Sequence, residues 1–219
     1  YQFAPNAGVE LEAVNLSYGY DAGKPILKNL SFEVPQNSKV CISGPDGAGK
    51  STLLKLLLGV YKDFTGTLTL NGVPIANYNL EEVRKNTGIL FAQENIFGGT
   101  LMENISLGRT GLDDAYIAWL VREVGLQPFL ASLPNGYDTE LDPTGRRLPR
   151  NVVQKILLVR ALAHKPKLLV MEEPWQHIEE RHTAQIQNLL LGLPDATVIV
   201  ATQDKAFADR CQTHIHLTP

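Results

Sequence analysis

From position 44 the chain reads Gly44-Pro45-Asp46-Gly47-Ala48-Gly49-Lys50-Ser51-Thr52, three glycines set ahead of a lysine and two hydroxyls. Glycines at this spacing let a backbone wrap a chain of phosphates, so that N–H groups from Asp46 to Thr52 and a following helix N-terminus face negative charge. Lys50 adds a point charge for the β- and γ-phosphates, and the Ser51 hydroxyl is placed to ligate Mg²⁺. Metal-assisted phosphate chemistry also needs an acidic group. Leu168-Leu169-Val170-Met171-Glu172-Glu173 supplies one, an apolar run ending in two carboxylates. Glu172 can hold the Mg²⁺ shell through water, and Glu173 can orient or deprotonate an attacking water. The chemistry expected is binding of a nucleotide with Mg²⁺, with water placed to attack its terminal phosphate.

These groups must be carried by regular elements. An apolar, β-branched strand at 39–43 precedes the glycine loop and a Leu-rich helix at about 50–58 follows it, the context the motif requires. Further strands are expected at 9–17, 30–34 and 67–70, with Gly72 and Pro74 punctuating the last. Helical spacing marks residues 113–123, about 127–132 and about 151–164, the last stopped by Pro166. Strand 168–171, a helix at about 179–191 and strand 197–201 then alternate, which implies parallel pairing in a doubly wound sheet with ligands at the carboxyl ends of its strands. The expected fold is α/β: a P-loop core of mixed sheet flanked by helices, an antiparallel β region and an inserted α-helical subdomain. The whole of 1–219 reads as one domain, its core and β region at about 1–92 and 166–219 and its helical subdomain at about 93–165.

Bulk properties narrow the class. With 44% hydrophobic residues in 219 the chain can bury a sizeable core. A net charge of −3 gives no basic field for nucleic acid or anionic lipid. Cys41 and Cys211 match no disulfide or metal spacing, Cys41 reads as a buried thiol, and a reducing compartment suits both. No run approaches the roughly 18 apolar residues of a membrane span, so the expected module is soluble. A start at Tyr1 without Met suggests a piece of something longer.

These motifs in this order resemble the ATP-binding cassette family, and the resemblance covers nearly the whole chain. It implies ATP and Mg²⁺ as cofactors, a second cassette domain in a homo- or heterodimer, a transmembrane domain on the same chain or a separate subunit, and a place at the cytoplasmic face of the inner membrane. Tyr18 stands 26 residues before Gly44, as does the family's aromatic that stacks on adenine. Gln93 matches the glutamine that joins Mg²⁺ and faces the attacking water. It opens Gln93-Glu94-Asn95-Ile96-Phe97-Gly98-Gly99-Thr100-Leu101-Met102-Glu103-Asn104-Ile105, which is similar to the exporter-type passage that contacts the membrane domain. Residues 136–141 resemble the lead-in to the exporter cross-talk loop. An apolar docking patch is therefore expected around Ile96, Phe97 and Leu101. No guanine-reading Asn-Lys-x-Asp motif argues for a GTPase.

Several positions depart from the family pattern. The resemblance places Leu148-Pro149-Arg150-Asn151-Val152 at the signature that closes over the γ-phosphate of the opposite subunit. Pro149 has neither hydroxyl nor N–H where the family has serine, and Arg150 and Asn151 add bulk where glycines allow close approach. Either a donor is lost there or Arg150 supplies a cation in its place. Glu172 stands for the family's Asp, Gln176-His177-Ile178-Glu179 for its Ser-Ala-Leu-Asp loop, and Gln203 for its switch histidine. A glutamine can bond a phosphate but carries no proton or charge. Two functions remain open: a slow ATPase that powers export, and a non-hydrolysing module gated by ATP beside a more complete partner.

Overall fold

The computed structural model describes residues 3, 7–21, 23–142 and 148–219. In chain order the first elements are β1 (Leu11–Tyr18), β2 (Leu27–Val34), β3 (Lys39–Ser43), α1 (Lys50–Leu57), β4 (Thr65–Leu70), β5 (Val73–Pro74) and α2 (Leu80–Lys85). Next come β6 (Thr87–Leu90), β7 (Gly99–Thr100), α3 (Leu101–Ser106), α4 (Asp114–Glu123), α5 (Gln127–Ser132), β8 (Glu140–Leu141) and α6 (Arg150–Leu162). The chain ends with β9 (Leu168–Glu172), α7 (Glu180–Leu191), β10 (Thr197–Ala201), α8 (Lys205–Ala208) and β11 (Thr213–His216). It divides into two compact units, one of residues 1–87, 167–172 and 193–219 and one of residues 88–166 and 173–192. Among the described residues no helix is long and apolar enough to cross a membrane.

The first unit holds two sheets. One is antiparallel, in the order β2-β1-β4-β5, with Leu11 of β1 opposite both Val34 and Leu70. β1 alternates buried Leu11 and Ala13 with exposed Glu12 and Val14, the period-2 pattern of a sheet covered on one face. The other is parallel, β11-β3-β10-β9, and β3, β9 and β10 are apolar throughout: Val40 to Ile42, Leu168 to Met171 and Val198 to Ala201 are all 1% exposed or less. Strands buried on both faces read as continuous hydrophobic runs, which is how they were legible without alternation. Parallel register sets Glu172, at the end of β9, opposite Ala201 and so delivers the carboxylate to the carboxyl edge of this sheet. Thr197 fastens the N-terminal approach to β10, because its Oγ1 accepts from Val9 N at 3.0 Å and donates to Val9 O at 2.6 Å.

The second unit is mainly helical, with α6 at its centre; the side chains from Gln154 to Leu162 are all buried. Pro149 is the N-cap of α6, one position before the first turn, and its carbonyl accepts from Val152 N and Val153 N at 3.0 and 3.1 Å. A proline fits a helix entrance because its missing N–H would have no partner there. α3, unmarked by the helical spacing used above, is opened by a reciprocal capping box between Thr100 and Glu103.

Candidate functional site

β3 runs into the glycine loop and α1 leaves it, with Gly49 as the N-cap of α1 at φ 95°. That conformation favours glycine, and a Cβ there would meet Ile26 Cγ2 and Leu27 Cδ2 at 2.8 and 2.9 Å. At Gly44, φ 146°, a Cβ would lie 2.5 Å from Leu217 O. The glycines thus bring the loop close to both its flanks, and α1 is anchored beneath it by buried Leu53, Leu54, Leu56 and Leu57.

The polar groups of the loop are already engaged. Lys50 Nζ donates to Gly44 O at 2.6 Å and Pro45 O at 2.9 Å, with Asp46 at 4.0 Å and fully exposed. Gln203, which follows β10, donates its side-chain amide to the same Gly44 carbonyl. The Ser51 hydroxyl donates to Glu172 Oε1, so the loop and the end of β9 meet through two oxygens. A hydroxyl and a carboxylate are hard donors of the kind Mg²⁺ takes in company with phosphate oxygens and water. The donor set fits that ion.

Three tyrosines gather beside the loop. Tyr18 and Tyr61 stack at 4.9 Å between centroids and 18° between planes. Tyr20 lies across that pair, 5.4 and 5.5 Å from the two rings and near-perpendicular to both. Its hydroxyl is 3.0 Å from Thr52 Oγ1, which ties it to the P-loop. Tyr18 is 9% exposed while Tyr20 is 54% exposed. The aromatic ring open beside the phosphate loop is therefore Tyr20, and Tyr18 has Tyr61 against its face. Burial pushes the Tyr18 phenol above its ordinary value. Neither Tyr20 nor Tyr61 was singled out from sequence; the aromatic at every second position of a strand end, Tyr18 and Tyr20, was the available signal.

The second unit carries the other expected residues. A groove of about 400 Å³ is lined by Gln93, Leu148, Arg150, Gln154, Gln176 and His177 among others, so the expected Gln93, the start of the signature stretch and the loop after β9 share one concavity. Gln176 Nε2 holds that loop to Ala92 O at 2.9 Å. Glu173, the residue after Glu172, has φ 42°, and His177 has φ 64°. Non-glycine residues held there cost roughly 1–3 kcal/mol each and cluster at functional sites. Asn151 Nδ2 donates to Glu179 Oε1 at 2.6 Å, and Glu179 Oε2 takes Lys155 Nζ at 3.0 Å and His182 Nδ1 at 3.2 Å. Its own backbone N–H, the buried Lys155 ammonium and these neighbours hold the Glu179 carboxyl far below the usual carboxylate range. Asn151 and Glu179 are thus partners within one chain, a pairing the departures read singly did not disclose.

The exporter-like passage is shaped by two residues not foreseen. Asn104 is fully buried and bonds both Phe97 N and Phe97 O at 2.9 Å. Arg160 reaches Asn104 O at 2.7 Å and Asn95 O at 3.1 Å and stands 5.4 Å from the Phe97 ring centroid. Ile96 and Leu101 are buried, at 4% and 0% exposed, and Phe97 is exposed at 41%. The apolar patch expected from three side chains is presented by one, because the capping box and the Asn104 bonds turn Ile96 and Leu101 inward.

The family model described as ABC transporter matches residues 27–176. The chain is 32% identical over 200 residues to an ATP-dependent lipid A-core flippase of Saccharophagus degradans, covering 90% of this chain and 34% of that protein. It is 32% identical over 197 residues to an ATM1-type heavy metal exporter of Novosphingobium aromaticivorans, covering 89% and 32% respectively. A solved structure of a bacterial Atm1-family ABC exporter with ATP bound superposes with a TM-score of 0.88 at 29% identity, over 98% of this chain and 39% of that one. The chain spans about a third of the length of these relatives.

Proposed function

The chain belongs to the ABC transporter family, and from that premise we propose that it is the ATP-binding domain of an exporter, binding MgATP and coupling its binding and slow hydrolysis to transport through a transmembrane domain. The observation that carries this reading is the strand–loop–helix of β3 and α1, with Lys50 folded onto the loop and Ser51 joined to Glu172. Entering phosphates exchange with the Gly44 and Pro45 carbonyls as partners of the Lys50 ammonium, while loop N–H groups and the α1 N-terminus take the phosphate oxygens. Ser51 and Glu172 would hold Mg²⁺, which supplies charge neutralisation at the β- and γ-phosphates. The adenine rests against the exposed Tyr20 face, backed by Tyr18 and Tyr61. Glu173 is the group assigned to orient or deprotonate the attacking water, with Gln93 facing it. The exposed Phe97 ring, fixed by Asn104 and Arg160, is the assigned contact for a coupling segment of the membrane domain, which would sit at the inner membrane.

The finer reading is that turnover is impaired. Closing a cassette dimer must surround the γ-phosphate with preorganised donors, because positioning and electrostatics carry most of phosphoryl transfer. Pro149 at the α6 N-cap offers no donor, and Gln203 is engaged with the Gly44 carbonyl. Losing one donor of this kind costs about 10²–10³ in rate. Those two positions favour, as the second reading, a non-hydrolysing module that closes on ATP beside a more complete partner. A phosphate-release assay separates them. Pro149→Ser, Arg150→Gly, Asn151→Gly, Val152→Gln and Gln203→His together should raise turnover at least tenfold over a slow wild type. Wild-type turnover already at the roughly 1–10³ s⁻¹ usual for enzymes would overturn impairment and make Arg150 or Gln203 the replacement group.

A further inference from the structure

Away from the phosphate site, two imidazoles converge on one oxygen. β11 lies at the edge of the parallel sheet, and His214 and His216 are exposed on it while Ile215 between them is buried. The spacing i, i+2 places both histidines on one strand face. Parallel pairing sets His216 opposite Ser43 of β3. Ser43 Oγ stands 2.7 Å from His214 Nε2 and 2.8 Å from His216 Nδ1, with the rings 6.5 Å apart and crossed at 86°. A serine hydroxyl carries a single proton and can donate to one of these nitrogens only. The second ring must turn an N–H toward the oxygen to be satisfied, so the cluster sorts its tautomers unless something else takes the second lone pair.

We propose that Ser43, His214 and His216 form a binding site for a borderline divalent transition-metal ion such as Zn²⁺, Ni²⁺ or Cu²⁺. Imidazole nitrogen is the ligand these ions share, whereas Mg²⁺ and Ca²⁺ take oxygen. The site is thereby chemically distinct from the Ser51 and Glu172 pair. Bonds of about 2.1 Å in a tetrahedral arrangement set ligand atoms roughly 3.4 Å apart. Each imidazole therefore backs away from Ser43 Oγ by roughly 0.6 Å, which exposed rings do by side-chain rotation, and water completes the shell. Ser43 immediately precedes Gly44, and Leu217 N already donates to Ser43 O at 2.8 Å. A bound ion adds a side-chain tie to that backbone one and stabilises the sheet edge that leads into the phosphate loop by mass action. Neither thiol joins the cluster: Cys41 is buried, burial raises the Cys211 thiol, and among the described residues no group of three or more His, Cys, Asp or Glu side chains converges.

The test is titration of the tag-free, nucleotide-free chain with Cu²⁺, read by electron paramagnetic resonance, alongside thermal melts with Zn²⁺. Wild type should bind one tight equivalent with nitrogen coupling from two imidazoles and should melt higher with Zn²⁺. The double variant His214→Ala/His216→Ala should lose both effects, and Ser43→Ala should weaken binding about tenfold. Cys211→Ser should bind as wild type does. A wild-type spectrum without coupling to two nitrogens, or the same coupling and melting shift in the double variant, would overturn the proposal. A wild-type spectrum that lacks coupling to two nitrogens overturns the proposal even where a variant folds poorly.

Discussion

Asn104 is the side chain on which the exporter-like passage depends, and its removal should be costly. Its Oδ1 accepts from Phe97 N and Arg160 Nη2, both at 2.9 Å, and its Nδ2 donates to Phe97 O at 2.9 Å and Thr100 O at 3.1 Å. Asn104→Ala deletes all four bonds and strands an N–H, two carbonyls and one guanidinium proton. Each buried group left without a partner costs about 1–3 kcal/mol, so independent losses would total about 4–12 kcal/mol. The two Phe97 backbone groups are only part-buried, which leaves two groups to carry the cost, about 2–6 kcal/mol. For a chain of this size that is a fall in melting temperature of about 10 °C. Both tryptophans, Trp119 and Trp175, belong to the second unit, so tryptophan fluorescence follows its unfolding directly. Asn104→Asp keeps the acceptor and loses two donors and should fall between wild type and alanine. A drop of less than about 2 °C in the alanine variant would show that the four bonds are replaced at no cost and refute the reasoning.

Two more expectations rest on side-chain contacts in each unit. The Glu179 carboxyl is depressed below its ordinary 4.5, so its contribution is present at neutral pH and is lost as pH falls below that value. Glu179→Gln should accordingly destabilise the second unit at pH 7 by about 1–3 kcal/mol, discounted for its partial exposure, and should melt close to wild type in strong acid; equal losses at both pH values would contradict the pairing with Lys155. At the tyrosine cluster, Tyr20→Ala should weaken MgATP about tenfold through lost stacking with little change in melting. Tyr18→Ala should instead act chiefly on stability, since it empties a buried ring position; calorimetry and melts on both variants that showed the reverse order would return the adenine to Tyr18.

The phosphate loop and the strands around it were legible because local signals agreed with the global fold. Val40 to Ile42 can only be an inner strand between helix-covered faces, Gly44, Gly47 and Gly49 take backbone angles that favour glycine, and Leu53 to Leu57 need a core. The same agreement gave the α/β class and the parallel arrangement of β9 and β10. Where the reading stopped short, tertiary partners decided. Tyr18 has the spacing of an adenine-stacking residue, and the Tyr61 ring stacked on it comes from 43 positions along the chain, which no local pattern announces. Ile96 and Leu101 look like a surface patch until Asn104 and Arg160, more than 50 residues apart, turn the passage inward. α3 was short enough to lack helical periodicity, although Thr100 and Glu103 carried a capping signal that a search for end motifs would have found. The departures at Asn151 and Glu179 looked like independent erosion in sequence and became a bonded pair once folded.

The central claim, that the Lys50 loop binds MgATP, is met most directly by titration calorimetry of the wild-type chain against MgATP, with Lys50→Ala measured in parallel. The Lys50 ammonium contributes charge-assisted bonds of about 1.5–3 kcal/mol, so the account predicts one site per chain in wild type and an affinity about tenfold to a hundredfold weaker in the variant. No heat of binding in the wild-type chain, or equal affinity in Lys50→Ala, would contradict it.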